Sequence, residues 1–473
     1  MPDRFEILHK DLAGRIGRLS TPHGTIETPL LMPVVNPHLQ SIPAPTLAEM
    51  GAEMIITNSY IIHQDENLRN RALQLGLHEL LGFQGPIMTD SGAFQLSVYG
   101  DIDVRPLEIL DFQHAIQSDI CVPLDIPTPP DVERERAEEE LRLTESRLEE
   151  AAALPRSALL AGPIQGSTYS HLRRRAAEFL RNLDFDLYPV GGVVPLMEAY
   201  RFNDLVDVVV AAKKGLGSGK PVHLFGAGHP MVFALAAAMG CDLFDSAAYA
   251  LYARQGRYLS ARGTLRLEEM SYLPCSCPVC QGHSAKELME SPEKAKLLAA
   301  HNLYVSFQEM RLVKQCIREG SLWDLLEARC RSHPRMLDGL KRFAAEGDWL
   351  EGLDGSSKST FFYLGPESAS RPEVIRAGRQ IEHLLLEGSV LITDDPKADV
   401  SGFDHVLYFK PPFGPYPQEL SETHPFNAET PEVTDAASLD QAEKNMRRLV
   451  KANPSACFSF RLKHMPDDRG WEA

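Results

Sequence analysis

Residues 86–90, PIMTD, and 241–245, CDLFD, are short, largely apolar runs that end on a carboxylate, and each is followed by a small residue. A run of this length between turn formers reads as a buried strand. Working outward, the same signal recurs at 30–36, 54–60, 119–125, 157–165, 187–192 and 222–228, which makes eight candidate strands. Helical periodicity fills the intervals at 65–81, 105–118, 131–153, 168–183, 198–214 and 230–239. Strand and helix in alternation mean parallel strands joined by crossover helices, and eight such units predict a (β/α)8 TIM barrel of the α/β class.

The chain has 473 residues, 44% hydrophobic and 24% charged, enough for one large globular domain and a smaller one. No apolar run approaches the roughly 20 residues that span a bilayer, and residues 1–14 lack the apolar core of a signal peptide, so a cytoplasmic protein with no membrane association is expected. Net charge is −17, which argues against a basic surface that coats nucleic acid indiscriminately while leaving room for a local basic groove. Three of the eight cysteines fall in six residues, a pattern of metal binding rather than of a disulfide framework.

The barrel domain is expected at 1–345, with a zinc-binding subdomain inserted at about 270–315. EGDWLEGLDGSSKST, 346–360, reads as a linker from its Gly, Ser and acidic content. Residues 361–473 form a smaller α/β C-terminal domain, with apolar runs at 360–364, 389–392 and 404–409 and a helix at 438–452. KPPFGPYPQEL, 410–420, is too rich in proline for a helix and reads as a shaped loop.

On a barrel the C-terminal strand ends meet at one mouth. Here those ends carry Asn58, Asp90, Asp125, Gln165, Gly191, Gly192 and Asp245. Turn formers end any strand, but three carboxylates ending apolar strands point to a site. Asp90 and Asp245 could act as nucleophile and acid/base at a sugar carbon, or bind a divalent metal with other acids. Asp125, in PLDIPTPP, is an acceptor held by proline turns, suited to the N–H groups of a guanine-like base. Gly191 and Gly192 either expose backbone N–H groups or simply make a turn. Cys275, Cys277 and Cys280 suit tetrahedral zinc in a structural role. His301, opening a helical run, is the preferred fourth ligand, with His283 in competition.

Taken together, MTDSGAFQ, PLDIPTP, GPIQGS, GGVVPL, HLFGAGHP, DLFDSAAY and CSCPVC with His301 resemble the tRNA-guanine transglycosylases, most of all the archaeal, archaeosine-type branch. The likeness runs in order from about residue 21 to 315 and continues through FYLGPESASRPEV and KPPFGPYP. It implies a zinc-containing TIM barrel and a pentosyltransferase that exchanges guanine, at position 15 of the tRNA D-arm, for 7-cyano-7-deazaguanine (preQ0) in archaeosine biosynthesis. By resemblance Asp245 is the nucleophile at C1′ and Asp90 the acid/base. Asp125 reads the N1 and amino edge of the base, Gln165 and the backbone of Gly191, Gly192 and Val193 face its carbonyl side, and Ser91 and Phe94 line it. Cys275, Cys277, Cys280 and His301 match the zinc ligands.

The implied partners are tRNA, guanine and preQ0, with a homodimer as the expected assembly. Archaeal relatives often end in an RNA-binding PUA domain for which the residues after the proline-rich loop are too few. A separate PUA-containing protein or an archaeosine synthase is then the expected companion. Phosphate contacts fall to basic patches at 171–175, 254–266 and 311–314, although such runs are commonly solvated helix faces. The competing readings are a queuine-type enzyme using another 7-deazaguanine, a non-catalytic partner subunit, a retaining glycosidase, and an enzyme that modifies DNA.

Overall fold

The computed structural model describes residues 4–93, 105–355, 357–358 and 361–463. Two compact units divide the chain, one of Met1–Arg318 with Ala328–Gly339 and one of Glu319–Glu327 with Leu340–Ala473.

Three antiparallel strands open the first unit, β1 (Phe5–Asp11), β2 (Gly14–Thr21) and β3 (Gly24–Thr28). Eight parallel strands follow: β4 (Leu30–Val35), β5 (Ile55–Asn58), β6 (Ile87–Asp90), β7 (Ile120–Cys121), β8 (Leu159–Leu160), β9 (Tyr188–Val190), β10 (Val222–Leu224) and β11 (Leu243–Ser246), and after them the hairpin of β12 (Arg257–Ser260) and β13 (Gly263–Arg266). The order of the eight is β8-β7-β6-β5-β4-β11-β10-β9, and the parallel bridges Ala161↔Leu187 and Ile164↔Val190 join the two ends of this sheet. The TIM barrel anticipated from the alternation is present, with every one of the eight strands at its expected place but shorter. Asn58, Asp90 and Asp245 remain within the ladder, whereas Asp125 and Gln165 fall beyond the ends of β7 and β8 in the loops of the mouth.

The helices owe their positions to local chemistry. Arg134–Ala152 buries Ala137, Leu141, Thr144, Leu148 and Ala151, one face at spacings of three and four. The helix expected over 65–81 is two, Glu66–Leu75 and Leu77–Leu81, because Gly76 between them takes φ +80°. Pro230–Ala238 is buried on all sides, which its unbroken apolar sequence permits.

The antiparallel strands β1–β3, not anticipated from the sequence, form the barrel floor. Phe5, Leu19 and Ile26 pack into the same core as Leu30, Met32, Ile56, Met88, Ile120 and Leu187. Arg15 on β2 donates two 2.8 Å bonds to Asp242, which also accepts from the Val222 amide at 2.7 Å.

In the second unit β14 (Ser389–Thr393) is flanked by β15 (His405–Lys410) and β17 (Cys457–Arg461), and the Ala436–Ala452 helix contributes Ala442, Met446 and Leu449 to its core. The expected loop at 410–420 is half of a hairpin, since β16 (Gly414–Pro417) pairs antiparallel with β15. β16 is the edge strand, where Pro415 and Pro417 deprive no neighbour of a donor. The segment read as a linker holds the helix Gly347–Glu351, with Gly347 and Leu350 buried. Gly352 lies in the turn just beyond that helix. No described helix is long and apolar enough to cross a membrane.

Candidate active site

The C-terminal ends of the barrel strands bring the expected mouth residues together. Asp90 closes β6, and its Oδ2 accepts from Asn58 Nδ2 at 3.2 Å, while Ser59 Oγ donates to the Asp90 carbonyl at 2.7 Å. Burial, and then the negative charges of Asp125 and Asp245, push the Asp90 carboxyl up to about 7, against the Gly92 and Ser91 amides that bond to it. Three carboxylates thus share one electrostatic environment, which raises the proton affinity of the central one.

Asp245 on β11 is held differently. Its Oδ1 accepts from His223 Nε2 at 2.8 Å and from the Gly226 amide at 2.7 Å. Among the described residues nothing bonds to Oδ2, so one oxygen is anchored and the other is available for chemistry. His223 is fully buried, so its ring is a fixed partner for that oxygen.

Asp125 lies beyond β7 and accepts from Gln165 Nε2 at 2.6 Å. Burial raises its pKa, with the Gln165 bond opposing. A Cβ on Gly191 would stand 2.1 Å from Gln165 Nε2, and Gly192 has φ +70° with Thr128 O at 3.0 Å from where its Cβ would be. The glycine pair is therefore needed for the close passage of β9's end over Gln165.

The Gly191 amide donates to Ile164 O at 3.2 Å, an inter-strand bond that withdraws it from any ligand. Among the described residues, the amides of Gly192 and Val193 have no partner. Ser91 Oγ, Gln165 Oε1 and Arg173 Nη2 are buried and likewise unpaired. Arg173 was legible only as part of a basic patch. It is fully buried, with Nε on Ser167 O at 2.8 Å and Nη1 on Ile164 O at 2.6 Å, bracketing Gln165. Phe94 lies outside the described residues.

Cys275, Cys277, Cys280 and His301 bring their four ligand atoms within 4.8 Å of one another, an arrangement that could hold a metal ion. His301 Nδ1 faces Cys280 Sγ at 3.3 Å and Cys277 Sγ at 3.5 Å, and its Nε2 donates to Leu259 O at 3.1 Å. That outer bond orients the ring toward the thiols. The Tyr258 ring stacks on His301 with centroids 3.6 Å apart. His283 is outside the group, its Nδ1 bonded to Val279 O at 2.9 Å. A second group, His23, His78 and Asp119, lies at the opposite ends of the strands, where each ring nitrogen is 2.9 Å from a different Asp119 oxygen. Nothing in the local sequence signalled it, because its members are far apart along the chain.

Comparison with known proteins adds the class. The family model described as "Queuine tRNA-ribosyltransferase" matches residues 11–335. A Methanosarcina barkeri protein named tRNA-guanine(15) transglycosylase is 58% identical over 457 residues, covering 96% of this chain and 93% of its own. Proteins of the same name from Haloferax volcanii and Archaeoglobus fulgidus are 53% and 48% identical, covering 99% and 96% of this chain and 92% and 94% of their own. Fold and comparisons define a TIM-barrel tRNA ribosyltransferase, a pentosyltransferase. The chain belongs to the tRNA-guanine transglycosylase family, as its motifs implied.

Proposed function

We propose that this enzyme exchanges guanine at position 15 of the tRNA D-arm for preQ0, as a step of archaeosine biosynthesis. The observation that carries the reading is the pairing at one mouth of an anchored carboxylate, Asp245, with a carboxyl poised near neutrality, Asp90. The free Oδ2 of Asp245 attacks C1′ of the ribose, the C1′–N9 bond breaks, and Asp90 supplies the proton that the departing guanine takes up. The incoming base then gives its N9 proton to Asp90 and attacks C1′, expelling Asp245. Two inversions restore configuration, and the ester keeps the bond energy that hydrolysis would lose.

Asp125 suits the N1 and amino edge of the base. Gln165, expected on the carbonyl side, has its Nε2 engaged with Asp125, so its free Oε1 suits an N–H of that same edge instead. The unpaired amides of Gly192 and Val193 suit its carbonyl, a task that falls to them because the Gly191 amide is engaged with Ile164. Ser91 Oγ is a further contact. To reach these groups the nucleotide must be flipped out of its stack.

The set of three thiols and one oriented imidazole fits zinc in a closed structural site. Bound there, zinc would tie the Cys-rich loop to the Lys294–Glu319 helix. The working assembly in this reading is a homodimer. The names of the relatives favour position 15, and they favour the archaeal reaction over a queuine-type one.

The test is exchange of radiolabelled guanine into unmodified tRNA, with and without preQ0, followed by mapping of the labelled nucleotide. Label at position 15 that preQ0 displaces is the expected result. Label elsewhere, or displacement only by another deazaguanine, overturns the assignment.

A further inference from the structure

A cavity of about 420 Å³ lies far from the mouth, lined by His9, Arg18, Glu27, Arg311, Lys314 and Arg318 among others. The Lys294–Glu319 helix connects it with the catalytic side of the barrel. Near the start of that helix, Asn302 bonds to Tyr249 O at 3.2 Å, and the Tyr249 hydroxyl reaches Val34 O, at the mouth end of β4, at 3.1 Å. Near its end, Lys314 donates to Glu27 O at 3.0 Å on the floor strand β3 and approaches the Glu53 carboxylate, just before β5, at 3.7 Å. The helix runs along the barrel wall, and its 26 residues extend about 39 Å.

Arg311, Lys314 and Arg318 are spaced three and four apart, so they form one stripe along the helix, about 10 Å long at 1.5 Å per residue. Lys314 is partly neutralised by Glu27 at 3.4 Å, and Arg18 reaches Glu6 only at 3.9 Å with both side chains exposed. Among the described residues, neither Arg311 nor Arg318 has an ion-pair partner, and both are exposed. The chain carries 65 acidic against 48 basic side chains, so a polyanion meets repulsion over most of its surface. A concave wall with uncompensated guanidinium groups focuses the opposite field and presents the fork geometry that phosphate accepts.

We propose that this cleft binds the phosphodiester backbone of the tRNA as a contact separate from the mouth. The inference rests on the reading that tRNA is the substrate. A stripe of cations, rather than a single pocketed charge, suits successive phosphates of an extended backbone better than one free phosphate. The contact neutralises phosphates and releases counterions, so it adds affinity that salt removes and takes no part in the chemistry.

The test compares the wild-type enzyme with Arg311→Ala/Arg318→Ala and with Arg311→Lys/Arg318→Lys, by filter retention of tRNA over a range of salt and by guanine-exchange kinetics. In the alanine variant we expect KM for tRNA to rise about tenfold with kcat unchanged, and the dependence of log K on log salt to flatten by about one for each cation removed. The lysine variant keeps the charge and should keep most of the slope. An unchanged KM and salt slope in the alanine variant overturns the proposal. So does a thermal shift with inorganic phosphate that the alanine variant loses while its tRNA binding stays intact, which would make the cleft a free-anion site. Absence of exchange by the wild type would count against the function instead, and filter retention still reads the cleft in that event.

Discussion

At Asp90, burial and two neighbouring carboxylates raise the carboxyl to about 7, so a large share of the groups keeps its proton near neutral pH, as the proposed acid role requires. Formation of the tRNA adduct should therefore slow as pH rises through about 7, and Asp90→Asn should abolish turnover. Stability runs the opposite way in that variant. A carboxyl whose folded pKa is raised stabilises the fold below its unfolded value near 4, and this contribution fades as pH climbs to 7. Asp90→Asn, which cannot ionise, should thus be more stable than wild type at pH 8 by about 1–3 kcal/mol after allowance for solvent screening, and no more stable near pH 4. Denaturant titration at the two pH values checks it. Asp245→Ala should remove both exchange and the denaturant-stable tRNA adduct, and an adduct in that variant would transfer the nucleophile's role to another residue. Gly191→Ala places a methyl group 2.1 Å from Gln165 Nε2, so Gln165 must move off Asp125. We expect KM for the incoming base to rise at least about tenfold with the fold kept, in line with the loss of one buried hydrogen bond to a charged group.

At the scale of elements, the Lys294–Glu319 helix is held by two adjacent residues with separable tasks. His301 faces the three cysteines, while Asn302 accepts from the Leu259 amide at 2.9 Å and donates to Tyr249 O and Arg257 O at 3.2 Å each. Cys277→Ser should lower metal content and thermal stability together. Asn302→Ala should cost about 2–4 kcal/mol, since it strips several buried bonds, and leave metal content unchanged. Elemental analysis beside thermal unfolding separates the two, and retention of full metal by the Cys277 variant would remove it from the ligand set. The edge hairpin of β15 and β16 shows the same economy of position. Its prolines made 410–420 look irregular, yet an edge strand needs donors on one side only.

Across the whole first unit, barrel and floor depend on a buried ion pair. Arg15 lies on β2 and Asp242 immediately precedes β11, so their bonds join the floor to the last barrel strand. Removing one partner leaves an uncompensated buried charge, and Asp242→Ala should destabilise this unit by about 3–5 kcal/mol in chemical denaturation. The expected domain boundary at 346–360 rested on composition. The compact units divide at 318–319, 327–328 and 339–340, within helices. Contact density, not residue type, draws that division.

The residues themselves determined the alternation of strand and helix, the carboxylates at the strand ends and the spacing of the three cysteines, because each is a local pattern set by periodicity or by reach along a few residues. His301 is already the preferred fourth member of the cluster from the sequence, and the structure places it there. Arg173 bracketing Gln165, the anchoring of one Asp245 oxygen and the floor built from β1–β3 were decided only by tertiary structure. Each joins groups whose meeting depends on how the barrel closes and on which donors remain after its ladders have formed. The same holds for the raised pKa of Asp90, since its causes are burial and two charges 35 and 155 residues further along the chain, at Asp125 and Asp245, that only the closed barrel brings to its side.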